Sequence, residues 1–126
     1  MARSYRELLV LQKARVLTVR IYKATESFPR SEIYGLTSQL RRSAVSVASN
    51  IAEGQGRLTS GEFRQFLGPA RGSLLELDTQ IAIACDLGYL DSHAYQTLEQ
   101  ETYQVLGLIN RLLDSLRLKK AITLKL

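Results

Sequence analysis

Tryptophan is absent from this chain, cysteine, histidine and methionine occur once each, and proline only twice. Each scarcity excludes something. A single cysteine, Cys85, forbids an internal disulfide and fits a reducing, cytoplasmic setting. A single histidine, His93, with Leu90 three residues before it, rules out the Glu-x-x-His pairs that build di-iron sites in helical bundles. No metal or other cofactor is expected. Hydrophobic runs are short. The run near Leu8–Leu11 is interrupted by Gln12 and Lys13, too early for a signal peptide, and no stretch of about 18 apolar residues offers a membrane span. Few prolines and eight glycines leave little material for loops.

What remains is a 126-residue chain of ordinary globular composition, 45% hydrophobic and 23% charged, long enough for one domain with a core. Its net charge of +5 is unevenly spread. Residues 1–71 hold 12 Lys/Arg against 5 Asp/Glu, and residues 72–116 hold one base, Arg111, against 7 acids. The basic part permits contact with nucleic acid. Equally, the two parts can attract one another within a bundle or between subunits.

Apolar periodicity predicts four helices, at about 5–25, 36–53, 60–87 and 92–118, with 119–126 as a frayed tail. The first opens with the capping box Ser4-Tyr5-Arg6-Glu7 and buries Val10, Ala14, Leu17 and Ile21. Leu9, Val16 and Val19 lie off that stripe, and this surplus predicts oligomerisation. Pro29 breaks the chain, and Ser31 is placed to cap a short turn. The second helix carries Leu36, Leu40, Ala44, Val47 and Ile51, with Gly54 and Gly56 expected to stop it. A second capping box, Thr59-Ser60-Gly61-Glu62, opens the third, whose seam runs Phe63, Leu67, Ala70, Leu74, Leu77, Ile81, Ala84. Pro69 inside it predicts a kink rather than a break. Asp91 or Ser92 caps the fourth. Four amphipathic helices with short connections make an all-α, antiparallel up-down-up-down four-helix bundle.

The chemistry on offer is thin. Cys85 reads as a buried apolar thiol and His93 as exposed, with no nucleophile–base pair, so no enzyme is expected. Gly54-Gln55-Gly56-Arg57 lacks both the preceding strand and the following lysine of a P-loop. The best functional material is Arg41, Arg42, Arg57, Arg64 and Arg71, on the second and third helices or the turn between them. Aromatic residues are not interleaved with them, so they would contact phosphates, without sequence preference. Neighbouring helix positions point about 100° apart. One of Arg41 and Arg42 is therefore expected to pair with an acid such as Glu76 or Asp78 while the other faces solvent. Asn50 and Glu53 share one helix face and are read as contacts to the following turn or to a neighbouring subunit, with Gly54 and Glu76 as further structural or subunit-contact positions.

The stretches Leu36–Ala44, Ser46–Arg57, Glu62-Phe63, Ala70–Leu77 and Leu87–Leu90 closely resemble the four-helix-bundle proteins encoded in intervening sequences of bacterial 23S rRNA genes. The resemblance covers roughly residues 5–115. It implies a homopentameric, non-enzymatic bundle associated with RNA or the ribosome. A related fold occurs in the accessory variability protein of diversity-generating retroelements, a partner of reverse transcriptase and nucleic acid, which adds DNA and a protein to the implied partners. Two positions depart from the family pattern. Ala48 stands where proline is common, and Pro69 where an apolar non-proline residue is common.

Overall fold

The computed structural model describes residues 4–125, with side chains through Leu118. Four helices follow one another: α1 (Tyr5–Thr25), α2 (Leu36–Gln55), α3 (Ser60–Asp86) and α4 (Ser92–Lys125), with a 3-10 turn at Arg30–Glu32 between the first two. The last helix thus continues through residues 119–125, the segment expected as a frayed tail; the expectation for Leu126 lies outside the described residues.

Cross-helix bonds reveal the topology. Gln55 at the end of α2 donates to the Glu7 carbonyl at the start of α1 (2.5 Å), while Arg41 near the start of α2 reaches Thr25 at the end of α1 (2.9 Å). The two helices are antiparallel. Ser46 meets Ser73 across α2 and α3, and Gly54 faces Phe63, so that pair is antiparallel too. Arg71 bonds Asn110 while Asp78, further along α3, feels Glu99, earlier on α4. Arg20 and Lys13 on α1 meet Glu101 and Gln104 on α4, again in opposite order. Each helix packs on two neighbours, and α1 and α3 occupy diagonal corners.

The core is the set of four seams. Val10, Ala14, Leu17 and Ile21 of α1 face Leu40, Ala44, Val47 and Ile51 of α2, and all are at most 1% exposed. The α3 seam from Phe63 to Ala84 is buried along its whole length, as are Leu98, Val105, Leu108, Ile109, Leu112 and Leu116 of α4. Thr102 fills the gap in the α4 seam by returning its hydroxyl to the Leu98 carbonyl (2.7 Å). That satisfies the hydroxyl without a cross-helix partner.

The helix ends follow local chemistry. The Ser4–Glu7 capping box forms in full. At α3 only half of one does. Thr59 accepts from the Glu62 amide, but the Glu62 carboxylate takes the Leu58 N–H instead of that of Thr59. Ser31 caps nothing. The first turn of α2 is held by Glu32, which accepts from the Leu36 amide (3.3 Å) and from the Tyr89 hydroxyl (2.9 Å). Gly88, at φ +80°, closes α3 with two bonds, Gly88 N–H to Cys85 O and Tyr89 N–H to Ala84 O. This is a Schellman ending, for which the left-handed glycine is suited. Asp91 caps α4 through the Ala94 amide (2.7 Å). α3 is a single continuous helix through Pro69, and α2 is continuous at Ala48.

Gly54 does not terminate α2. The helix runs on through Gln55, and Gly54 is buried inside it. A Cβ at this position would stand 2.8 Å from a Phe63 ring carbon and 2.9 Å from the Phe66 Cβ. Glycine is required here for close approach of α2 to α3, not for a turn.

Candidate nucleic-acid interface

The five arginines singled out from the sequence do not converge. Arg41 turns toward α1, where its Nε donates to Thr25 Oγ1 and its NH2 group to the Tyr22 carbonyl (3.4 Å), and the guanidinium lies 4.8 Å from the Tyr22 ring centroid. A cation against the last carbonyls of α1 is favourably placed with respect to the helix dipole. The expected pairing with Glu76 or Asp78 does not occur, because those acids lie on α3 and the antiparallel register brings the end of α1 beside Arg41.

Arg42 points outward and makes no hydrogen bond or ion pair among the described residues. Arg57 pairs with Glu53 one turn back (3.2 Å) and covers the Phe66 ring at 4.5 Å. Arg71 is spent on Asn110 (2.9 Å) between α3 and α4. Arg64 sits two turns earlier on the same side of α3, half-buried, its Nε without a hydrogen-bond partner among the described residues. Of the five, only Arg42 and Arg57 are exposed.

Asn50 bridges nothing in the following turn. Its amide donates backward to the Ser46 carbonyl (2.8 Å) and hydroxyl (3.2 Å), and Ser46 in turn meets Ser73 (2.8 Å). Asn50 therefore holds a small polar cluster at the α2–α3 contact. Glu76 is exposed. Cys85 is half-buried rather than buried, and His93 is exposed.

Sequence reasoning passed over two arrangements. Gln55, 7% exposed, ties α2 to the first turn of α1, although nothing in its local sequence singles it out. The second is an acidic patch between α3 and α4. Asp78 and Glu99 face each other there beside Tyr95 and Tyr103. Burial first, and Glu99 second, raise the Asp78 carboxyl above its ordinary value. Tyr95 donates to Glu99, and that bond, with some desolvation, pushes the phenol up to about 12. Asp78 and then Glu99 raise Tyr103 as well. The signal available for this patch was the run from residue 72 to 110 without a single lysine or arginine.

Opposite charges do meet across α1 and α4, where Arg20 Nε stands 2.7 Å from Glu101 Oε1. Beside this pair a surface groove of about 300 Å³ runs between the helices, lined by Leu9, Lys13, Val16 and Gln104 among others. Among the described residues no group of three or more His, Cys, Asp or Glu could hold a metal ion, and no helix is long and apolar enough to cross a membrane.

Comparison with known proteins agrees with the architecture. None of the curated proteins matches this chain. A crystal structure of a protein of unknown function from the S23 ribosomal protein family of Bacteroides thetaiotaomicron superposes with a TM-score of 0.79 at 17% identity. It covers 86% of this chain and 98% of that one. At that identity the likeness speaks for the fold. The sequence itself goes further: residues 6–111 match the family described as 23S rRNA-intervening sequence protein, and this chain belongs to that family.

Proposed function

We propose that this chain works without catalysis, as a cytoplasmic, self-assembling bundle, a pentamer by family resemblance, that binds nucleic acid on its positive surface, RNA first. The observation that carries the reading is the charge distribution. The first 71 residues hold a net +7, and Arg42 and Arg57 stand exposed at α2 and the turn after it. Such cations bind backbone phosphates by releasing counterions, and without stacking aromatics beside them they do not select a base. The family's description names an intervening sequence of 23S rRNA, a genomic association that supports taking RNA before DNA. Arg41 and Arg71 leave the binding set, since both are committed to neighbouring helices.

The test is filter binding of a structured RNA at low salt. Retention is expected, falling as salt rises. Arg42→Ala and Arg57→Ala should each lower the slope of log affinity against log salt by about 1. No retention at low salt, or retention indifferent to both substitutions, overturns the reading.

One observation favours a second reading, a module that recruits another protein. Val16 and Val19 on the outer side of α1 are 47% and 53% exposed. A stoichiometric protein partner recovered by pulldown and retained after nuclease treatment would support it.

A further inference from the structure

The first helix carries a buried apolar seam and, on its far side, an exposed stripe that mixes apolar and polar residues. Val10, Ala14, Leu17 and Ile21 are buried. On the opposite side, Tyr5, Gln12, Val16, Val19 and Lys23 recur at helical spacing, and Tyr5 is 77% exposed. Lys23 ends this outer stripe and Arg15 flanks it, and both are exposed.

α3 presents an outer face of opposite sign. Gly68, Gly72, Glu76, Thr79, Ile83 and, at the helix end, Asp86 lie along it, opposite the buried seam, with Leu75 at its edge. Leu75 and Ile83 are 40% and 43% exposed. No lysine or arginine occurs on α3 after Arg71. A Cβ added at Gly68 or Gly72 would meet nothing within 4 Å. Packing within the chain therefore does not require either glycine. Each nevertheless weakens the helix by about 1 kcal/mol relative to alanine. Two such residues one turn apart on an exposed helix face leave its backbone open to close approach from outside.

We propose that the outer stripe of α1 docks on the Gly68–Gly72 face of α3 in a second copy of this chain, Arg15 and Lys23 lying against Glu76 and Asp86. The inference rests on the self-assembly stated above and names the surfaces that produce it. Charge complementarity selects the pairing. Two α1 stripes would set base against base, and two α3 faces acid against acid. Because α1 and α3 occupy diagonal corners, one copy cannot satisfy its own faces. The contact is head-to-tail, and each subunit uses both faces, so it builds a ring or an open array rather than a two-fold dimer.

Light scattering on the full-length chain at micromolar concentration tests this, with circular dichroism on every variant to verify folding. Wild type should be multimeric. Arg15→Glu/Lys23→Glu should fall to monomer, and so should Glu76→Lys/Asp86→Lys. Mixing the two variants should restore assembly as open chains or even-numbered rings in which they alternate, since each then offers the charge the other lacks, whereas a five-membered ring cannot alternate. Gly72→Leu should lose mass while keeping its helicity. A monomeric wild type would overturn both this pairing and self-assembly. A multimeric wild type whose mass survives the α3 reversal would overturn the pairing alone.

Discussion

The α2–α3 and α1–α4 contacts lie on opposite sides of one bundle and are built on different residues. Where α2 meets α3, small residues at chosen positions let large ones come close. Gly54 lies against Phe63 and Phe66, and Ser46, Asn50 and Ser73 form a short polar chain. Where α1 meets α4, long charged side chains span the gap, Arg20 to Glu101 and Lys13 to Gln104, and a groove remains between the helices. Small residues bring backbones together and leave nothing to adjust. Long ones hold helices apart and remain partly hydrated, so their bonds contribute less.

The largest break in this contrast comes from Gly54→Ala. The substitution removes a helix glycine, which alone would stabilise by about 1 kcal/mol. The new methyl would stand under 3.0 Å from Phe63 and Phe66, and overpacking of that kind costs about 1–3 kcal/mol. A net loss of stability by chemical denaturation is expected, and a gain would show that α2 and α3 have slack. Arg20→Ala probes the other side. Its side chain is 53% exposed, so the loss should be only about 0.5 kcal/mol. A loss equal to that of Gly54→Ala would erase the distinction.

The smallest effect belongs to Asp78→Asn at the α3–α4 contact. The Asp78 carboxyl is raised in the folded chain, so folding favours its protonated form. Near neutral pH the ionised group is a liability. The amide should therefore raise the melting temperature slightly, by about 2 °C or less. The advantage should vanish as pH falls below the unfolded value of 3.8. An advantage that grows in acid would contradict the assignment.

The same contrast separates what the sequence discloses from what it hides. Seams were legible because burial depends on periodicity alone: Leu67, Leu74 and Ile81 are buried wherever the partner helix lies. Side-chain destinations depend on register between helices, which periodicity does not contain. Helical spacing sends one of Arg41 and Arg42 toward an acid of α3 without saying which or whether the register allows it, whereas the antiparallel turn at Pro29 brings the last turn of α1 beside Arg41. Gly54 carries the composition of a helix stop, and only its position opposite Phe63 reveals a contact. The capping box at Ser4 was legible because all its atoms are local; Glu32 was missed because its second partner, Tyr89, is 57 residues away. The arginine set failed as a cluster for the same reason. The five positions share two helices and the turn between them, but they do not share a side of the bundle.

The α1–α4 contact joins the two ends of the chain, whereas every other helix pair joins sequence neighbours. In kinetic terms the three hairpins close over short loops, and docking of the last helix on the first closes the longest one. The polar partners at that junction are one half-exposed ion pair, Arg20 with Glu101, and the Lys13–Gln104 hydrogen bond around a groove, so it should be the last contact formed and the first released. Amide exchange on the α1 and α4 faces that line it should run ahead of the α2–α3 crossing, making the groove the point where the bundle opens.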